Sequence, residues 1–337
     1  MTKTKKFLLA LPLMLIIALT TIMFAGCEDT DDKKAIYVST LEELNEAITT
    51  TDDEHVIKLE NDIKMEKDGT TILPVFIYPS NKNYDVEIDL NGYNINTYVR
   101  IASKNNDIPT EKEVELKIEN SRKSGGRIGF EHNEFPYALV IVANNKCDIE
   151  LENVTFKAQY GGLYTNGSYS GNTEIDAENC KFISTHTDTI SDAKDGGVGA
   201  YLASKNFTYN FEDCYFEGYT AYHTKHGTHY LKNCTLVADG TVAYQPAFYG
   251  NGGSATGNAL MIESSSDYAV VTGSEKKLFV NIYGGSFTSL ANYAIEEAST
   301  AQNGQTEVCY AQITIKGNPA LDGANGKTVK SENNFIA

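Results

Sequence analysis

The chain has no tryptophan, only three arginines (Arg100, Arg122 and Arg127) and a single long apolar run, Phe7 to Phe24. Each shortage excludes something. Missing Trp counts against a module dedicated to stacking on sugars. With 28 Lys and Arg against 45 Asp and Glu, the formal net charge is −17. Such a surface repels phosphate backbones and anionic headgroups, which removes nucleic acid as a partner and argues against unaided binding of polyuronates. No second apolar run follows residue 24, so no further stretch is suited to cross a bilayer as a helix. Cysteine is present but badly numbered for a disulfide framework: apart from Cys27 there remain Cys147, Cys180, Cys214, Cys234 and Cys309, an odd set that cannot be fully paired.

The N-terminus is ordered as an export signal. Lys3, Lys5 and Lys6 precede the apolar run, and the small pair Ala25-Gly26 precedes Cys27. The segment Phe24-Ala25-Gly26-Cys27 resembles the lipobox of bacterial lipoproteins, with Phe24 where Leu is usual. That resemblance implies cleavage before Cys27, diacylation of its thiol, and palmitate-type anchoring to a membrane on the extracellular or periplasmic side. The competing reading is an uncleaved anchor, since about 18 apolar residues just span a bilayer. Multiple acyl chains anchor stably where one does not. The expected organisation is a signal peptide over 1–26, an acidic tether over 27–34, one folded domain over 35–326 and a tail over 327–337. Loss of the three leader lysines leaves the exported chain with a charge of about −20.

Thr40 and Glu43 form a capping-box pair ahead of Leu41, Leu44 and Ile48 at helical spacing, so one short amphipathic helix is expected near 41–49. Strand-like runs follow at His55–Leu59, Val75–Tyr78, Val86–Leu90, Val114–Ile118 and Leu139–Val142. The informative feature is a repeat. Ile149-Glu-Leu-Glu-Asn-Val-Thr-Phe156 returns at 175–182, 209–216 and 229–236, with Asn153, Asn179, Asp213 and Asn233 in the same place. The repeat length varies while its core is constant, as in a coil of strands that tolerates insertions at its corners. Alternation then predicts inward columns: Ile149/Ile175/Tyr209/His229, Leu151/Ala177/Phe211/Leu231, Val154/Cys180/Cys214/Cys234 and Phe156/Phe182/Phe216/Leu236. The Asn/Asp positions become a corner ladder whose amides can bond along the stack.

With these residues the chain resembles the right-handed parallel β-helix proteins of the pectate-lyase-like superfold. Gly161-Gly162-Leu-Tyr164 and Gly196-Gly197-Val-Gly-Ala-Tyr201 are similar to repeats of bacterial surface β-helices and adhesins. Asp89 to Ile95, Leu116 to Ile128, Gly284 to Phe287 and Ile313 to Gly317 resemble further coils, so the likeness covers roughly 55–323. It implies an all-β solenoid with an N-terminal capping helix, and fold alone does not assign an activity.

Candidate chemistry is sparse. The cysteine column reads as packing, since Val154 occupies the same column. His223, His226 and His229 form the one histidine cluster, but parity turns His229 inward and the other two elsewhere, which argues against a shared zinc site. Asp188, Asp192 and Asp195 lie on one insertion and suit calcium, although a solvated acidic loop explains them as well. A lyase or glycoside hydrolase is the rival class. No Arg lies in the regular coils beyond residue 127, and a carboxylate pair of Asp188 or Asp192 with Asp213 is opposed by the place of Asp213 in the corner ladder. Tyrosine is abundant, with 21 residues. Tyr160, Tyr164, Tyr219 and Tyr222 fall outside the assigned inward columns and are the candidates for contacting a sugar or a surface protein. The favoured expectation is non-catalytic binding of extracellular polysaccharide or another surface ligand.

Overall fold

A computed structural model describes residues 33–50, 54–77, 84–102, 113–130, 137–143, 146–165, 171–186, 197–244, 255–265, 278–300 and 311–331. Cys27, Cys309, Asp188, Asp192 and Asp195 lie outside the described residues.

The repeat builds what its spacing requires. Strands Cys147–Glu152, Thr173–Glu178, Phe207–Glu212 and Gly227–Lys232 are successive members of a ten-stranded sheet that begins at Lys34–Val38 and ends at Gln312–Lys316. Its pairings are parallel and in register: Ile149 on Ile175, Ile175 on Tyr209, Tyr209 on His229. After each Asn or Asp the chain turns into a seven-stranded sheet, where Phe156 pairs with Phe182, Phe182 with Phe216 and Phe216 with Leu236. A nine-stranded sheet, from Val75–Ile77 to Val329–Lys330, closes each coil. The chain therefore folds as a parallel β-helix. A two-stranded hairpin, Lys67–Asp68 with Thr71–Ile72, is its one antiparallel element among the described residues. Val329–Lys330 pairs with Ile295–Glu296, so the ladder reaches past residue 326.

The core is the set of inward columns. Every residue in the four columns is buried. The phenylalanines stack, with centroids 5.2 Å apart for Phe156–Phe182 and 5.1 Å for Phe182–Phe216. Each such ring contributes about 1.5–3 kcal/mol of burial. Cys147, Cys180, Cys214 and Cys234 form no disulfide among the described residues and are buried. Burial pushes the thiols of Cys147, Cys180 and Cys234 up to about 12, leaving them as inert apolar fillers.

The corner ladder works through the backbone. Asn153, Asn179, Asp213 and Asn233 all adopt positive φ, from 51° to 58°, a left-handed conformation that Asn and Asp tolerate better than other side chains. Their side chains are exposed, and those of Asn153 and Asn179 bond the preceding Glu152 and Glu178 instead of stacking. It is the main-chain N–H of each that reaches the next coil, as from Asn153 to the Glu178 carbonyl. An amide link between coils does occur earlier, where buried Asn120 accepts from Gly92 N at 2.8 Å.

The helix α1 (Leu41–Thr50) buries Leu41, Leu44, Ala47 and Ile48. Its capping box is formed: Glu43 N donates to Thr40 Oγ1 at 3.2 Å, and the Glu43 carboxylate accepts from Thr40 N at 3.2 Å and Ser39 N at 2.8 Å. Asn45 accepts from Phe76 N at 2.9 Å and donates to the Pro74 carbonyl at 3.2 Å. The helix thus covers the first strand of the nine-stranded sheet, occupying edge groups that another chain could otherwise pair with.

Candidate functional site

The outward faces of the sheets differ in chemistry. On the ten-stranded sheet, Glu150, Glu152, Asp176, Glu178 and Glu212 border a depression of about 460 Å³, joined there by Lys117 and Lys232. This acidic wall follows from the Glu-x-Glu alternation of the repeat, which sends every second residue outward.

The nine-stranded sheet carries something else. Its register aligns Phe76, Arg100, Val140, Tyr164, Tyr201, His223, Met261, Glu296 and Lys330 as one outward column. Tyr164 faces out because its neighbours Leu163 and Thr165 are fully buried on the opposite face. Tyr137 stacks on Tyr164 at 4.6 Å and Tyr164 on Tyr201 at 5.6 Å, while His223 meets Tyr201 edge-on at 5.3 Å.

The early part of this column opens into a cleft of about 430 Å³. Thr70, Thr71 and Ile72 of the hairpin form one wall, Tyr137 and Tyr164 supply stacked rings, and Tyr98, Arg100 and Val140 complete the lining. No carboxylate lines it among the described residues. Arg100 is partly buried, and its Nε has no hydrogen-bond partner among the described residues. Burial raises the Tyr137 phenol, which stays protonated and able to donate. The cleft therefore offers flat aromatic faces, hydroxyls and one cation.

The later part of the column is closed. Glu263 receives His223 Nε2 at 2.8 Å and Lys225 Nζ at 2.9 Å, and all three side chains are at most 1% exposed. Burial alone would raise the Glu263 carboxyl. The His223 hydrogen bond and the charge of Lys225 outweigh it and hold the group below its ordinary value. Burial lowers His223, with the Glu263 hydrogen bond opposing it. One coil on, Glu296 accepts from Asn258 at 2.7 Å and from Lys330 at 2.6 Å.

Of the four tyrosines singled out from sequence, Tyr164 lines the cleft. Tyr160 is partly buried beside His186 at 5.5 Å and is not part of the lining. Tyr222 requires a correction: it faces inward, fully buried, with its hydroxyl 2.7 Å from His229 Nδ1. In Thr220–Thr224 the alternation sends His223 out and Tyr222 in. Tyr219 is 2% exposed, donates to the Val242 carbonyl at 2.5 Å and accepts from Val242 N at 3.1 Å, so it clasps a neighbouring turn. Arg100, Tyr98, Tyr137 and the two threonines were not anticipated. The available signal was Arg100, a charge set between Val99 and Ile101 in a chain with three arginines.

The three histidines diverge. His229 lies in the core, stacked on Tyr209 at 4.5 Å, while His223 meets Glu263. Among the described residues no group of three or more His, Cys, Asp or Glu is placed to hold a metal. Asp213 sits exposed at its corner with φ 51°.

Residues 35–188 match the family described as "Putative pectate lyase-like adhesive domain". No curated protein and no solved structure matches the chain. The matched span contains every described residue that lines the cleft, and the same parallel ladder continues beyond it to Lys330. Residues 35–188 are thus similar to a pectate-lyase-like adhesive domain, a kind of domain that suggests a surface or exported protein, and they form the first part of a parallel β-helix.

Proposed function

We propose that this adhesin-like β-helix is exported, anchored at the membrane by lipid on Cys27, and holds extracellular polysaccharide in the Tyr137–Tyr164 cleft without turning it over. The observation that carries the reading is the stacked pair Tyr137 and Tyr164 beside Thr70, Thr71 and Arg100, inside the span that matches the adhesive family. Tyrosine gives an apolar face for a sugar ring and a hydroxyl for its edge, at little conformational cost. Threonine hydroxyls both donate and accept, as sugar hydroxyls require. Trp-free stacking of this kind suits many weak contacts along a polymer, which an array of anchored copies converts to avidity.

The test is a glycan array probed with the full-length protein, followed by product analysis of every retained polysaccharide. Retention that falls with Tyr164→Ala, without new reducing or unsaturated ends, supports binding. New ends would establish the lyase or hydrolase alternative, and retention indifferent to Tyr164 would remove the cleft from the account. The anchor is tested separately: Cys27→Ala is expected to release a folded, soluble protein, and a variant still held in the membrane would mean an uncleaved apolar anchor.

A further inference from the structure

We infer that the cleft selects glycans bearing one isolated anionic group, a carboxylate or sulfate ester on an otherwise neutral chain, and that Arg100 is the residue that reads it. This inference rests on the polysaccharide reading of the same cleft and specifies the class of sugar.

The argument starts from the rarity of arginine. Two of the three arginines have structural work: Arg122 Nε donates to Asn91 Oδ1 at 2.9 Å, and Arg127 Nη2 donates to Asn96 Oδ1 at 2.9 Å. Arg100 is different. What sets it apart, among the described residues, is that its guanidinium makes no side-chain hydrogen bond and no acidic side chain lines its cleft, while its Nε is buried without a partner. With 45 acidic residues in the chain, a cation in a pocket that has none among its described lining residues is conspicuous. Burying an ionised group without a counter-charge is costly, and guanidinium is the side chain best shaped to take a carboxylate or sulfate through two parallel hydrogen bonds. An anionic ligand group would complete both the charge and the orphaned donor.

Charge also limits how many anions the ligand can carry. The chain is −17 overall, and the outer face of the ten-stranded sheet carries the dense row Glu150, Glu152, Asp176, Glu178 and Glu212. A polyanion would gain at one guanidinium and lose against that field, whereas a single anion is repelled little and satisfied fully. Position adds direction. Arg100 and Tyr164 stand two pairings apart in one column, through Val140, or about 10 Å at the ordinary strand spacing. A sugar whose acid meets Arg100 therefore extends its neutral neighbours across Val140 onto the Tyr164 ring.

The experiment uses an array on which each neutral oligosaccharide is printed beside the same oligosaccharide with one terminal uronate and with one sulfate ester, together with polygalacturonate. The full-length protein is expected to bind at least one monoanionic member ten-fold or more above its neutral partner, and to bind polygalacturonate no better than neutral glycans. The uronate and sulfate arms then say which anion is read. Arg100→Met is expected to erase the preference while keeping weak neutral binding, with an unchanged melting temperature. Tyr164→Ala is expected to lower binding of both members of a pair. Equal binding of neutral and monoanionic partners, or a preference that survives Arg100→Met, overturns the inference and leaves the polysaccharide reading intact. Preferred binding of polygalacturonate also overturns it. No retention of any glycan by the unaltered protein removes both.

Discussion

Acid should weaken this fold in a particular way, and His229 is the reason. The ring lies in the core, stacked on Tyr209, with both nitrogens engaged: Tyr222 hydroxyl is 2.7 Å from Nδ1, while Nε2 is 2.7 Å from the His226 carbonyl and 2.6 Å from Thr224 Oγ1. Nε2–H donates to the carbonyl, and Nδ1 accepts from tyrosine. Burial lowers its pKa from 6.5 to about 3, the hydrogen bond to His226 opposing only part of that. A histidine depressed in the folded state gives stability that is complete above the unfolded value and is lost as pH falls through it, because the unfolded chain takes the proton first. Between pH 7 and pH 5 the loss from this one ring is about 2 kcal/mol, rising to about 4–5 kcal/mol near pH 3. His223, also lowered by burial, acts in the same direction. The assay is a urea titration at pH 7, 6 and 5, with an unchanged m-value showing that stability alone has moved. His229→Phe keeps the stack but orphans the Tyr222 hydroxyl and leaves Thr224 Oγ1 only its 3.4 Å bond to the His226 carbonyl, so it should cost about 2–4 kcal/mol at pH 7. Its decline toward pH 5 should be shallower than that of the unaltered protein by about 2 kcal/mol. Equal slopes for the two proteins would show that His229 titrates normally and would refute this account of its site.

Other perturbations probe the ladder. Phe182→Ala removes the middle ring of a three-ring stack and is expected to cost about 3–5 kcal/mol in equilibrium unfolding; a loss below 1 kcal/mol would mean the column is loosely packed. Asn179→Gly should be nearly neutral, whereas Asn179→Val should cost about 1–2 kcal/mol, since its φ is 53°; equal effects would contradict the left-handed corner. Alkylation of Cys147, Cys180 and Cys234 is expected only after denaturant is added, because the buried thiols resist ionisation; rapid labelling at neutral pH would show that the coils open.

Two of the three sheets were legible because only two residues separate them in each repeat. Glu152 ends a strand, Asn153 turns, and Thr155 begins the next, so the offset from Ile149 to Phe156 is the same in all four repeats and their columns align directly. The nine-stranded sheet has no such offset. The chain enters it after one residue between Gly218 and Thr220 but after a long excursion between Ala238 and Leu260. Without a fixed spacing, parity cannot be carried from coil to coil, which is why Tyr222 stood outside the inward columns although it is buried. The cleft was hidden for the same reason. Arg100, Val140 and Tyr164 are neighbours through strand pairing, although 40 and 24 positions apart in sequence. The helix was readable because its cap, apolar stripe and length are all local.

The most direct test of the account compares two tyrosines on two faces. Tyr164 lines the cleft on the nine-stranded sheet, and Tyr230 lies 38% exposed on the acidic wall of the ten-stranded sheet. Retention of the full-length protein on the polysaccharide it binds best, measured for Tyr164→Ala and Tyr230→Ala at equal folded concentration, should fall at least ten-fold for the first and stay unchanged for the second. Loss at Tyr230 with retention at Tyr164 would place the ligand on the acidic wall and contradict the cleft as the binding site.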